Sequence, residues 1–121
     1  MEKINLRESF PEFFEVRNMG VDFRKGWSGI LEGLFTKMRQ EVTKGAAQPD
    51  ILQIKEKFGG LRVYISSGND KMHEFIREAE KASFRTCEIC GDLGLACTSK
   101  SGWLKTLCKK HMEEFDYERV N

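Results

Sequence analysis

Cys87-Glu88-Ile89-Cys90-Gly91 and, after seventeen residues counted from Cys90, Cys108-Lys109-Lys110-His111 are the two stretches that decide how this chain is read. Two thiols separated by two residues, then a thiol and an imidazole with the same separation, supply the four soft donors of a tetrahedral structural zinc site. In a Cys-x-x-Cys-Gly turn the sulfurs converge because the backbone bends sharply between them, and Gly91 tolerates the conformation that follows. At i and i+3 on a helix, Cys108 and His111 project from one face toward one point. The spacing predicts Zn2+ held by Cys87, Cys90, Cys108 and His111.

Between the two pairs the chain has room for a hairpin: Leu93, Leu95 and Cys97 alternate, Ser99 to Gly102 turn, and Trp103 to Leu107 return. A knuckle, a hairpin and a final ligand pair in the first turn of a helix describe a treble-clef type of zinc finger. Alternation places Cys97 on the inward face as a small hydrophobe beside Leu93 and Leu95. Replacement of His111 as fourth ligand, or a reactive thiol, remain the other two readings of Cys97. Glu88 and Asp92 read as surface residues.

Upstream, Ser9-Phe10-Pro11-Glu12 has the form of a capping box, predicting a short helix to about Val16. After Asp22, a plausible N-cap, Phe23, Trp27, Ile30, Leu31, Leu34, Met38 and Val42 recur at three and four, the spacing of a core helix. Gly26, Gly29 and Gly33 weaken its start, so it begins at Asp22 or nearer Ser28. Lys44 to Asp50 is a loop by composition. Leu52 and Ile54, then Leu61, Val63 and Ile65, alternate with polar residues about Phe58-Gly59-Gly60, a β-hairpin whose glycines permit a tight turn. Met72, Phe75, Ile76, Ala79 and Ala82 give a third helix one apolar face.

The chain is therefore read as α+β. An N-terminal unit, residues 1–84, has helices and a β-hairpin packed with a third helix; a zinc-binding module, residues 85–121, follows.

Of 121 residues, 40% are hydrophobic, with nine Phe and two Trp, and 20 basic side chains balance 19 acidic ones. A net charge of +1 gives no global pull toward nucleic acid. No apolar run approaches the ~20 residues of a membrane span, and Met1 to Asn5 lack the apolar segment of a signal peptide, so a cytoplasmic location and no membrane partner are expected. In a reducing compartment the cysteines read as ligands in preference to disulfides.

Catalytic patterns are missing from the sequence: no Ser-His-Asp arrangement, no phosphate-cradling glycine loop, and a metal set with all four places filled. His73 stands alone on a polar helix face. The expected function is a non-enzymatic, zinc-stabilised binding protein that regulates or inhibits a protein partner. The alternative is nucleic-acid binding through Lys57, Arg62, Tyr64, Arg85, Lys105, Lys109 and Lys110. The stretch Lys57 to Tyr64 matches the RNA-binding strand of an RRM only at Lys57, Gly60 and Tyr64, with Leu61 where a stacking aromatic belongs.

The chain resembles a family of uncharacterised small bacterial and phage proteins in four places. These are Gly26-Trp27, Ile54 to Tyr64 with its Lys57-Phe58-Gly59-Gly60-Leu61-Arg62 centre, Cys87 to Gly91, and Gly102 to His111 with Gly102-Trp103 and Thr106-Leu107-Cys108. They span residues 26–111. The resemblance implies zinc on the same four ligands and a bacterial or phage setting, and no substrate.

Overall fold

A core helix stands where the three-and-four spacing predicts one. In the computed structural model, which describes residues 2–120, α1 spans Leu6–Ser9 and α2 spans Ser28–Thr43, with a 3-10 turn over Lys25–Trp27 leading into α2. Leu31, Leu34 and Met38 are buried as expected, and Phe35 joins them. Phe35 gathers Phe10, Phe13 and Phe14, with ring centroids 5.3, 5.0 and 6.0 Å from its own.

The expected helix from Ser9 to Val16 is not there. Asn5 caps α1 by accepting the Glu8 N–H at 3.1 Å, Ser9 ends that helix, and Pro11–Phe13 form a 3-10 turn. Glu12, expected to close a capping box, instead accepts two hydrogen bonds from Arg39 at 2.6 and 2.9 Å. The guanidinium holds the Glu12 carboxyl below its ordinary range against the opposing effect of burial. The pair's contribution is thus complete above the unfolded-state pKa and fades as pH falls through the lower folded value.

Strands β1 (Ile51–Lys57) and β2 (Gly60–Ile65) form the predicted antiparallel hairpin, with Lys57 opposite Gly60. Its register slips between Ile51 and Gln53, so Ile51 and Ile54 are both buried while Leu52, expected inward, is exposed. The turn residues are Phe58 (φ 55°) and Gly59 (φ 84°), both left-handed as a type I′ turn requires. Gly60, expected in the turn, opens β2, where a Cβ would overlap the Phe84 ring. An exposed Phe is a poor occupant of the first turn position. Phe58→Asn is expected to raise the urea midpoint, by about 1 kcal/mol in stability, through relief of the left-handed strain.

Both edges of this hairpin are closed. The segment before α2 covers β1: Met19 N–H donates to Leu52 O, Asp22 N–H to Ile54 O, and Ile54 N–H to Gly20 O, at 2.8 to 3.0 Å. Asp22 is therefore an edge residue, not a helix cap. Along β2 lies α3 (Asp70–Ser83), capped by Asn69 and packed through Met72, Ile76 and Ala79. Its Ser83 Oγ accepts from Leu61 N–H at 2.9 Å and its Glu80 carboxylate from Val63 N–H at 3.1 Å. Side chains of one helix thus satisfy amides that would otherwise template aggregation.

Beyond α3, β3 (Leu95–Thr98) pairs with β4 (Leu104–Leu107), α4 (Lys109–Glu114) follows, and β5 (Glu118–Arg119), a strand the sequence did not suggest, adds to the other edge of β3. Cys87, Cys97 and Leu107 centre a small apolar cluster, separate from the larger one around Trp27 and Phe35. Backbone and polar contacts join the units. Gly26 N–H donates to Glu88 O at 2.9 Å, the Trp27 indole N–H to Thr86 O at 3.0 Å, and the buried Thr106 hydroxyl to Gly59 O at 2.7 Å. A Cβ at Gly26 would run into Cys87 O. Among the described residues no helix is long and apolar enough to cross a membrane.

Candidate metal centre

The knuckle is shaped by its own backbone. Gly91 N–H donates to Cys87 O at 2.9 Å, Cys87 N–H to Asp92 O at 2.7 Å, and Gly91 takes a left-handed φ of 84°. Gly94 lies so close beneath that a Cβ there would approach Cys87 N to 2.8 Å. From the other side β4 delivers Cys108 to the N-cap of α4 and His111 to its first turn. Phe115 lies against the His111 imidazole, ring centroids 6.1 Å apart.

These elements bring together the four residues that the spacing predicts. One donor atom from each of Cys87, Cys90, Cys108 and His111 lies within 4.8 Å of every other. Cys90 and Cys108 sulfurs are 3.8 Å apart, and His111 Nδ1 is 3.1 Å from Cys108 Sγ and 3.6 Å from Cys87 Sγ. Such a cluster can hold a metal ion. Burial works to raise the Cys87 thiol, but backbone amides of Cys108, Cys90 and Ile89 outweigh it and leave the thiol below its ordinary value. Cys90 is pushed up to about 12, by burial first and then by the neighbouring sulfurs.

Cys97 stands outside the cluster, buried on the inward face of β3 with its thiol donating to Leu95 O at 3.2 Å. Leu93 and Leu95, expected beside it, are exposed. A serine keeps the size and the hydrogen bond. Cys97→Ser should therefore retain wild-type metal stoichiometry by elemental analysis, at a cost of about 1 kcal/mol.

Glu88 is where the sequence reading fails. Expected on the surface, it is 2% exposed. Its main chain is held on both sides, donating to Thr106 O at 3.0 Å and accepting from Gly26 N–H, which carries the side chain inward. Lys105 Nζ donates to Glu88 Oε1 at 3.0 Å, Arg24 Nε stands 3.9 Å from the same oxygen, and Oε2 has no partner among the described residues. Burial pushes the Glu88 carboxyl up, with Lys105 offsetting part of the shift.

The basic residues are distributed unevenly. Lys57, Arg62 and Tyr64 share the outer face of the hairpin with Lys55, which pairs across the strands with Arg62. Lys105 is half-buried and bound to Glu88, so its charge is engaged. Arg85 is exposed in the turn after α3, and Lys109 and Lys110 are exposed on α4. His73 is exposed on α3. Compared with protein-family models, curated proteins and solved structures, the chain matches none.

Proposed function

We propose that this chain is a non-enzymatic, zinc-stabilised binding protein that regulates or inhibits a protein partner, in the bacterial or phage setting its motifs imply. The observation that carries the reading is the donor set: three thiols and an imidazole gathered around one point. Zinc favours such a set in tetrahedral coordination, and Zn–S bonds of about 2.3 Å place sulfurs roughly 3.8 Å apart. The Cys90 to Cys108 separation agrees with this. Four protein ligands leave no place for a substrate or an activated water.

Elemental analysis and X-ray absorption test the zinc. One zinc per chain with three sulfurs and one nitrogen in its shell supports the reading, and a shell with an exchangeable water sinks it in favour of a zinc enzyme. Affinity purification from the native host tests the partner; no stoichiometric protein recovered counts against the regulator.

Nucleic-acid binding is the second reading, favoured by cation and aromatic pairs on the hairpin. Lys55 Nζ is 5.9 Å from the Tyr64 centroid and Lys57 Nζ 5.6 Å from that of Phe58. A gel shift at low salt decides it, because phosphate contacts are strongest there.

A further inference from the structure

The β1–β2 turn lies across β4, with Gly59 packed on the Lys105 backbone so closely that a Cβ would sit 3.3 Å from it. Beside that crossing the tips of the two hairpins leave a groove of about 440 Å³, lined by Phe58, Trp103 and Leu104 with Glu56, Lys57 and the Ser101-Gly102 turn. This falls within the ~300–1,000 Å³ of ligand-binding clefts, ample for one bulky side chain.

Its two rings stand in solvent on rigid supports. Phe58 is 67% and Trp103 73% exposed. Phe58 sits at a left-handed turn position that a smaller polar residue would fill with less strain, and burial gives it nothing back. Strain retained at an exposed site points to a use outside the fold. Trp103 is fixed at its backbone, donating to Ser99 Oγ at 3.0 Å and accepting from Ser99 N–H at 2.9 Å, so the indole projects from an ordered turn. Exposed aromatics on rigid loops are the residues that anchor protein interfaces.

Charge selects the occupant. The outer face of the hairpin next to the groove carries Lys55, Lys57 and Arg62 with Gln53 and Tyr64, and no carboxylate. Lys55 and Arg62 are direct cross-strand neighbours, a like-charge pair that an anionic partner relieves. Inside the groove the sign changes: Glu56 accepts from Gly59 N–H at 2.7 Å through one oxygen, and its other oxygen makes no hydrogen bond among the described residues. A carboxylate in the lining opposes a phosphate there.

We propose that the groove between Phe58 and Trp103 receives an aromatic or aliphatic side chain from a partner protein segment whose flanking Asp or Glu residues pair with Lys55, Lys57 and Arg62. This deepens the protein-partner reading and rests on it. The probe is a random peptide library displayed on phage and panned on the zinc-loaded full chain, followed by fluorescence anisotropy with an enriched peptide. Enriched sequences are expected to set an aromatic or aliphatic residue among Asp and Glu. Their affinity should fall about tenfold or more in Trp103→Ala and in Phe58→Asn, a variant expected to fold at least as well as the wild type. Lys57→Glu should weaken them several-fold, an effect that added salt erases.

Peptides that bind Trp103→Ala and Phe58→Asn unchanged overturn the groove while leaving a protein-binding function intact elsewhere on the surface. No enrichment above background overturns the groove and, with no partner from the host, the protein-binding reading too. Trp103-dependent binding of an oligo(U) strand instead, or Trp103-dependent self-association of the chain, overturns the proposal by assigning the groove to nucleic acid or to a second copy.

Discussion

A chelator added to the metal-loaded protein is expected to strip amide protection from β3, β4, β5 and α4 while α2, α3 and the β1–β2 hairpin stay protected. The apolar cluster beside the four candidate ligands is small, with Cys87, Cys97 and Leu107 at its centre and Ile89, Met112 and Tyr117 only partly buried around it. A segment of that size lies below the ~40 residues at which a core alone holds a fold, and a metal bound by the Cys/His cluster would supply the difference, on the order of 10 kcal/mol. The N-terminal unit differs in kind. Phe13, Trp27, Leu31, Phe35, Met38 and Leu61 are almost wholly buried in one cluster that includes no metal ligand. Loss should nevertheless spread one step across the junction, because the Trp27 indole donates to Thr86 O and Gly26 to Glu88 O. Trp103 is already in solvent, so a red shift of tryptophan emission on chelation would report Trp27. Hydrogen exchange read by mass spectrometry checks the whole pattern. Uniform loss across the chain would show a single cooperative unit, and retained protection in β3 and β4 would show that the metal does not hold the segment.

How far the sequence disclosed this architecture depends on whether the deciding contact is local. Cys87, Cys90, Cys108 and His111 could be paired because knuckle and helix geometry fix each half within a few residues. Helices α2 and α3 were legible for the same reason: periodicity is a property of one segment. Where a distant side chain intervenes, local rules fail. The Ser9 capping box is sound as a pattern, but Arg39 takes the Glu12 carboxylate and Pro11 interrupts the chain between α1 and the next turn. Alternation places Leu52 inward, and the register shift between Ile51 and Gln53 resets it. Gly59-Gly60 has the composition of a turn, whereas Gly60 is needed where β2 meets Phe84, a contact no short-range pattern encodes. β5 forms only because β3 has a free edge when the tail returns. Glu88 was the largest miss, since its burial depends on Gly26 and Thr106, remote from it in sequence.

That buried carboxylate carries the other large effect, in Lys105→Met. Glu88 is enclosed, Lys105 is 21% exposed at the side chain, and Arg24, 54% exposed and 3.9 Å away, offsets the burial of the carboxyl less than Lys105 does. Removing the ammonium takes away what offsets the burial of the Glu88 carboxyl, so the group must either stay charged without its counterion or take up a proton, with one oxygen already unpartnered. Breaking a buried pair from one side typically costs about 3–5 kcal/mol, well above the ~1 kcal/mol of a surface pair. Removing both partners is different, because no charge is then left without water or a counterion. Glu88→Leu with Lys105→Met is expected to recover most of the loss, and Glu88→Gln alone to cost only about 1 kcal/mol, since the amide oxygen still accepts from Lys105. Urea denaturation in excess metal, followed by Trp27 emission, measures all four proteins. A Lys105→Met loss of only ~1 kcal/mol would show that water reaches Glu88 and that the pair behaves as a surface one. A double variant no better than Lys105→Met would place the cost in lost packing by the lysine stem across β4 and the Gly59 turn.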